Sequence, residues 1–209
     1  MDFDEFKEQW QSGEENIACR TSGSTGNPST ILLPRQRMIE SAARSCTFFN
    51  ITNESLLYSC VGADYIGGKM MLVRSEVSGA AFNWEIPSNR PLCSYEGPDI
   101  DLLSVVPSQM IHLLNHPELI AKVKRFLIGG AAIPLQIRER IIEAGIEAYE
   151  SYGMTETSSH VALREIKPDN PWFTALPGIE VFHHSYNLLG IRIEDWKEFL
   201  TNDIAEIKD

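Results

Sequence analysis

Short apolar segments alternate with amphipathic segments along most of this sequence. Residues 56–61, 102–106 and 126–128 are apolar runs of strand length, and residues with helical periodicity follow each of them. Strands that alternate with helices favour parallel pairing, because the intervening helix carries the chain back to the start of the next strand. The pattern therefore predicts an α/β fold with a largely parallel sheet. Aromatic residues also recur at helical spacing over residues 3–10 and Gly13 follows them, which predicts a helix at the N-terminus that stops at this glycine. No internal repeat or Pro-rich linker interrupts it, which favours a single domain.

Two polar loops each follow a predicted strand. Residues 21–28 come after a strand candidate at 17–20, and a loop at 151–159 comes after a strand at 146–150. Ligands of parallel sheets usually bind beyond the carboxyl ends of the strands. We therefore expect both loops to lie at that edge.

The composition argues against several classes of protein. With 18 basic and 29 acidic residues among 209, the chain has a net charge of −11, which disfavours a nucleic-acid surface. No apolar run approaches the roughly 18 residues of a membrane span. The acidic N-terminus lacks the basic start of a signal peptide, and the four cysteines show no CxxC spacing. We therefore expect a reduced, cytoplasmic protein without a membrane span or a nucleic-acid partner.

The first polar loop reads TSGSTGNP over residues 21–28. Its glycines permit backbone conformations that a Cβ would forbid, and its hydroxyl and amide groups suit phosphate oxygens. On composition alone, such a loop is more often a flexible turn. A P-loop is excluded because no lysine follows the second glycine, and a lipase nucleophile elbow is excluded because Ser24 directly follows Gly23.

The second polar loop contains SYGMTET at residues 151–157. Tyr152 offers a flat ring for stacking a base, Thr155 offers a hydroxyl, and Glu156 offers a carboxylate of the kind that holds Mg²⁺. Taken alone, the segment is equally compatible with a helix N-terminus capped by Thr155 or Glu156.

Together the two segments resemble the adenylate-forming enzymes, the acyl- and aryl-CoA synthetase superfamily. Three more family-like segments follow in the expected order: LIGGAAIP at 127–134, ALPGIEV at 175–181 and LTNDI at 200–204. The resemblance implies mixed, largely parallel sheets flanked by helices, as in the large N-terminal domain of these enzymes. It also implies an acid–CoA ligase reaction, in which a carboxylate attacks the α-phosphate of ATP, releasing pyrophosphate, and the CoA thiol then displaces AMP.

The resemblance assigns roles to individual residues. The triphosphate would lie against Thr21, Ser22, Gly23, Ser24, Thr25 and Gly26. The adenine and ribose would lie among Gly130, Ala131, Tyr152, Gly153 and Asp203. Thr155 and Glu156 are the expected catalytic residues, with Thr155 on the α-phosphate or the acyl carboxylate and Glu156 on Mg²⁺. The implied cofactors are ATP and Mg²⁺, with CoA as a substrate.

Weaker features indicate which acid is activated. GGKMMLVRS at 67–75 and SVVPSQMIHLL at 104–114 are similar to bacterial o-succinylbenzoate–CoA ligases of menaquinone biosynthesis. Since that acid carries two carboxylates, a second cation is needed, and Arg74 is the candidate as a bidentate partner. His160 is a second candidate substrate residue. The alternatives are a solvated helix position for Arg74 and a purely hydrogen-bonding role for His160.

The sequence departs from the family pattern at the loop and at both ends. Ser29 stands where the family usually has a lysine, which removes one phosphate-neutralising cation. Only 20 residues precede the loop, and the family's mobile C-terminal domain would follow Asp209. We therefore expect residues 1–209 to form the large adenylation domain, shortened at its N-terminus and without the mobile domain, with impaired turnover on its own.

Two other functions stay open. A CoA ligase for another aryl or fatty acid keeps the family and changes the substrate. A non-catalytic nucleotide-binding module is favoured by Ser29. Homodimers are common in the family, so a second copy of the chain is a further candidate partner.

Overall fold

The computed structural model describes residues 1–21 and 29–208. The helices of this part are α1 (Phe3–Gln11), α2 (Arg35–Phe49), α3 (Ile66–Ser78), α4 (Pro107–Leu113), α5 (Pro117–Ile120) and α6 (Leu135–Glu143). The strands are β1 (Asn16–Arg20), β2 (Thr30–Pro34), β3 (Leu56–Ser59), β4 (Ala81–Trp84), β5 (Leu102–Val105), β6 (Phe126–Ile128), β7 (Ala148–Met154), β8 (Ser159–Glu165), β9 (Thr174–Ala175), β10 (Ile179–His183), β11 (Leu188–Ile193) and β12 (Phe199–Ile204). None of these helices is long and apolar enough to cross a membrane.

A seven-stranded sheet forms the centre of the fold, in the order β4-β3-β5-β6-β7-β8-β9. Its first five strands pair in parallel, and β8 and β9 add antiparallel pairs at the other edge. Every residue of β3, β5 and β6 is buried. The sheet is thus mixed and largely parallel, which confirms the fold predicted from the alternation of strands and helices.

Successive residues of the central strands face opposite layers of helices, as the period of two in a strand requires. Leu57, Leu102 and Leu127 pack in one cluster with residues of α2 and α3. Leu103 and Phe126 pack in a second cluster with residues of α4 and α6. Because both faces are covered, these strands have to be apolar throughout, which is why they are recognisable as short apolar runs.

Helix α1 covers the edge of the sheet beside β4. Asp2 and Glu5 form a capping box at its start, and the helix ends at Gln11, just before the predicted stop at Gly13. The Phe3 ring lies 5.1 Å from Phe82 and 5.3 Å from Trp84 between centroids. The predicted N-terminal helix is therefore confirmed.

Two smaller antiparallel sheets flank the large one. Strands β1 and β2 pair with each other, and β10, β11 and β12 form a three-stranded sheet. Trp196, which follows β11, holds this sheet to α2: its indole N–H donates to Glu40 at 2.7 Å, and Arg37 and Arg44 lie over its ring.

The structure corrects the predicted loop at 151–159. Strand β7 continues to Met154 and β8 begins at Ser159, so only residues 155–158 form a turn. The polar residues Tyr152 and Gly153 stay in the ladder because β8 pairs with them, at Ala162 and His160 respectively. Backbone pairing with a neighbouring strand overrides the polar composition that favours a loop.

A side chain at Gly68 should destabilise the fold. A Cβ at this position would lie 2.2 Å from the carbonyl oxygen of Gly62 and 2.6 Å from that of Val61, and backbone atoms cannot move aside cheaply. We expect Gly68→Ala to lower the free energy of unfolding by about 3 kcal/mol, measured by urea denaturation. Gly67→Ala is the matched control, because its Cβ would meet nothing closer than 4.0 Å. Equal midpoints for the two variants would contradict this account of how α3 packs.

Candidate active site

A cavity of about 920 Å³ lies at the carboxyl ends of the parallel strands. Four chain segments that end or follow these strands line it: residues 60–62, 104–106, 129–132 and 150–155. Its volume is in the upper part of the roughly 300–1,000 Å³ range of ligand sites. The position is the one expected for the ligand of a largely parallel sheet.

Four of the five residues predicted to hold adenosine line this cavity, and the fifth, the exposed Asp203, contacts one of them. Gly130, Ala131, Tyr152 and Gly153 all line it. The Tyr152 hydroxyl donates a 2.5 Å hydrogen bond to Asp203 of β12. Burial raises the pKa of Tyr152 and the bond to Asp203 raises it further, so the phenol stays protonated. The predicted base-stacking residue and the predicted ribose residue are thus in direct contact.

Gly153 is required where β7 passes β8. A Cβ here would lie 2.2 Å from the carbonyl oxygen of Ser159 and 2.5 Å from the Cα of His160. Any side chain would push these strands apart beside Tyr152. Gly153 therefore contributes to the site by allowing the backbones of β7 and β8 to approach closely.

The predicted phosphate end is described in part. Thr155 is buried, lines the cavity and donates a 3.4 Å hydrogen bond to the carbonyl oxygen of Arg20, the last residue of β1. Thr21 pairs with Ser29 through a backbone bond of 2.8 Å and through their hydroxyl oxygens, 3.0 Å apart. The base of the polar loop is thus closed next to Thr155. Ser22, Gly23, Ser24, Thr25 and Gly26 lie outside the described residues.

Glu156 follows Thr155 in the turn and is half-buried. Magnesium in nucleotide sites is usually held by one or two carboxylates together with phosphate oxygens, so a single carboxylate at this place suits it. In residues 1–21 and 29–208 no group of three or more His, Cys, Asp or Glu side chains is arranged to hold a metal. A cation here would therefore depend on the phosphates of a bound nucleotide.

Arg74 is the most unusual side chain of the cavity. It lines the cavity from α3 and is only 1% exposed, so the alternative of a solvated helix position is wrong. Its Nη1 lies 3.5 Å from the Met71 sulfur, its Nη2 lies 3.4 Å from His160 Nδ1, and its Nε has no partner among residues 1–21 and 29–208. Burial lowers the pKa of Arg74 to about 10, so the group is still charged at neutral pH.

His160 is buried on β8 beside Arg74 and also lines the cavity. Its Nε2 lies 2.9 Å from the hydroxyl of Ser45 on α2. Burial and the neighbouring charge of Arg74 both lower the pKa of His160 well below its ordinary value. The imidazole is therefore neutral.

Sequence reasoning missed an ion-pair cluster on the cavity wall. Glu150 is buried; its Oε2 accepts from Arg138 at 2.7 Å and also from Arg164, while its Oε1 accepts from the backbone N–H of Ile133 at 3.2 Å. Arg164 in turn lies over the Phe173 ring. Glu150 thus fixes the segment after β6 to β7. The signal that could have identified it is the period of two in a strand, which places the Glu150 carboxylate on the same face of β7 as the buried Ala148.

Comparisons with known proteins settle the family. The profile of the family described as AMP-binding enzyme matches residues 8–190. The chain belongs to the AMP-binding enzyme family. The 2-succinylbenzoate–CoA ligase of Haemophilus influenzae is 30% identical over 150 residues, which are 69% of this chain and 32% of that protein. The ligase of the same name from Bacillus cytotoxicus is 25% identical over 162 residues, which are 75% of this chain and 34% of that protein. The chain spans about a third of the length of these relatives.

Solved structures support the same fold. An acyl-CoA synthetase (AMP-forming)/AMP-acid ligase II-like protein from Dyadobacter fermentans superposes with a TM-score of 0.88 at 30% identity, covering 98% of this chain and 60% of that one. The o-succinylbenzoate CoA synthetase of Bacillus subtilis in complex with ATP and magnesium ion gives a TM-score of 0.71 at 20% identity, covering 89% and 42% respectively. The second likeness shows the fold alone.

The contribution of the Glu150 cluster to the free energy of unfolding should depend on pH. Although burial raises the pKa of Glu150, hydrogen bonds from Arg164 and Arg138 bring it below its ordinary value. The stabilising contribution is therefore complete above the ordinary pKa, about 4.3, and is lost as the pH falls through the lower pKa of the folded state. We expect Glu150→Gln to reduce the free energy of unfolding by about 3 kcal/mol at pH 7.

The difference between wild type and Glu150→Gln should shrink below about pH 4, where the wild-type carboxylate also gains a proton. Urea denaturation at a series of pH values measures it. Glu165→Gln on β8 is the control, because its pair with Lys167 is exposed and is worth less than about 1 kcal/mol. A difference that is the same at pH 3 and pH 7 would contradict an ionic role for Glu150.

Proposed function

We propose that this chain is the adenylation domain of an ATP-dependent acid–CoA ligase, and that its acid carries a second carboxylate, as o-succinylbenzoate does. The observation that supports a dicarboxylic acid is the charge of Arg74, which is buried and has no carboxylate partner among the described residues. On this proposal the product is o-succinylbenzoyl-CoA, in line with the names of the relatives, and the reaction belongs to menaquinone biosynthesis in the cytoplasm.

The burial of Arg74 is unfavourable unless its charge is compensated. Moving a guanidinium out of water costs several kcal/mol unless a counterion or a full set of hydrogen bonds compensates it. Among the described residues no carboxylate lies within ion-pair distance of Arg74, and one of its nitrogens has no partner. A ligand carboxylate in the cavity would supply the missing charge and accept two parallel hydrogen bonds.

The remaining cavity wall suits the nucleotide. Tyr152 offers a ring for the adenine, while Gly130 and Ala131 leave room beside it. Thr155, next to the closed base of the polar loop, would contact the α-phosphate or the reacting carboxylate. Glu156 would hold Mg²⁺, and the ion would supply positive charge for the leaving pyrophosphate. The protein would then act mainly by holding carboxylate and α-phosphate in contact.

The reaction is tested by ATP–pyrophosphate exchange with a panel of acids. Because the chain spans about a third of its relatives, the assay uses the chain alone and the chain joined to the remaining part of the Haemophilus influenzae ligase. We expect exchange with o-succinylbenzoate and weak exchange with aryl or fatty monocarboxylates. ATP binding without exchange for any acid in either protein would favour a non-catalytic nucleotide-binding module.

Replacing Arg74 with an apolar residue should weaken acid binding and increase the stability of the fold. Arg74→Met removes an uncompensated buried charge, so we expect the free energy of unfolding to rise by about 1–3 kcal/mol. The same variant should bind o-succinylbenzoate about 100-fold more weakly. It should bind β-benzoylpropionate, the same acid without the ring carboxylate, as the wild type does. Calorimetry measures both affinities.

Lys69→Met is the matched control for this substitution. Lys69 is also a buried cation of α3 at 2% exposure, but it contacts Met1 and Phe6 and is not among the residues that line the cavity. Its loss should leave both acid affinities unchanged. If Arg74→Met instead destabilises the fold and leaves acid binding intact, Arg74 is a structural residue and the proposed substrate class is wrong.

A further inference from the structure

We infer that Ser45 and His160 form a positioning relay, which orients the Arg74 guanidinium toward a ligand carboxylate without neutralising it. This inference rests on the proposed function of Arg74 and deepens it. Ser45 and His160 are positioning residues here, because they act on the ligand through Arg74. The relay joins α2, β8 and α3, three elements far apart in sequence.

The direction of the relay is set by the Ser45 hydroxyl. Its oxygen lies 3.1 Å from the carbonyl oxygen of Ser41 and 2.9 Å from His160 Nε2. At one end of the relay the Ser41 carbonyl oxygen can only accept, and at the other end the Arg74 guanidinium can only donate to His160 Nδ1. The one direction that satisfies both ends sends the hydroxyl proton of Ser45 to Ser41. The hydroxyl oxygen must then accept from His160, which places the imidazole proton on Nε2.

The second imidazole nitrogen then has a lone pair that faces Arg74. Nδ1 lies 3.4 Å from Arg74 Nη2, a group that can only donate. A proton on Nδ1, in the other tautomer or in the imidazolium, would set one N–H against another in a buried site. The neutral state that burial and Arg74 impose on the pKa of His160 agrees with this arrangement.

A neutral acceptor has a specific advantage over a carboxylate at this place. An aspartate or glutamate would orient Arg74 equally well, but it would also cancel the charge that a ligand needs. His160 takes one N–H of the guanidinium and leaves its full charge uncompensated. The unpartnered Nε and the Nη1 that meets only the Met71 sulfur remain as donors for the ligand. The relay therefore gives the cavity a preference for a dicarboxylate over a monocarboxylate.

The first test measures the tautomer directly. NMR of the wild-type chain labelled with ¹⁵N-histidine reports which nitrogen of His160 carries the proton, and His160→Asn identifies its signals. We expect a proton on Nε2 and none on Nδ1 between pH 6 and 8. A protonated Nδ1 in this range would overturn the relay whatever the chain binds.

The second test uses a pair of substitutions that each keep one end of the relay. An asparagine amide reaches the place of Nδ1, so His160→Asn retains an acceptor for Arg74. A glutamine amide reaches the place of Nε2, so His160→Gln retains the contact with Ser45 alone. Calorimetry gives the ratio of affinities for o-succinylbenzoate and β-benzoylpropionate. We expect His160→Gln to lower this ratio about tenfold and His160→Asn to preserve most of it.

Ser45→Ala and Ser41→Ala complete the test on α2. Both remove a buried hydroxyl, but the Ser41 hydroxyl donates to the carbonyl oxygen of Ser158 and does not touch His160. Only Ser45→Ala should lower the affinity ratio and allow a proton on Nδ1.

Equal ratios for His160→Gln, His160→Asn and wild type would overturn the relay. A wild-type chain that binds both acids equally would instead overturn the proposed substrate class, and the NMR measurement would still decide the relay.

Discussion

The Arg74 charge is buried at the cavity with no carboxylate partner among the described residues, and the proposed site depends on this constraint. The close approach of Gly68 to the backbone of residues 61–62 fixes where α3 begins. Residues 70–73 are then buried against α1, α2 and the neighbouring strands, so the helix cannot rotate to expose its next residue. The packing that stabilises α3 therefore holds the Arg74 guanidinium at the cavity, where no carboxylate of the described residues balances its charge; on the proposed function a ligand carboxylate does so.

The rest of the cavity follows from the topology of the sheet. Parallel pairing of β3, β5, β6 and β7 brings four chain segments to one edge, and the antiparallel strand β8 adds His160 beside them. The contact between Thr155 and Arg20 joins this edge to the small β1–β2 sheet, where Thr21 and Ser29 close the polar loop. Ser29, which replaces the usual lysine of the family, thus has a structural partner. One edge can in this way serve both a nucleotide and an acid.

The sequence was informative where one local property decides the structure. Apolar runs identified the buried strands β3, β5 and β6, and the aromatic spacing of residues 3–10 identified α1. Gly130, Ala131 and Tyr152 were found through a family resemblance, and all three line the cavity.

The extension of β7 to Met154 was missed because it depends on pairing with β8. The Glu150 cluster was missed for a similar reason: a sequence shows charges, but the distances from Glu150 to Arg138 and Arg164 arise only in the fold. The burial of Arg74 likewise depends on tertiary packing.

The central claim is that one cavity holds the nucleotide and the dicarboxylic acid together. It is tested most directly by competition calorimetry with a stable conjugate, in which o-succinylbenzoate is joined to adenosine through a sulfamate. If the claim is correct, the conjugate binds with one-to-one stoichiometry, more tightly than ATP or the acid, and displaces both. A conjugate that displaces ATP while the acid stays bound would place the acid outside this cavity and contradict the account.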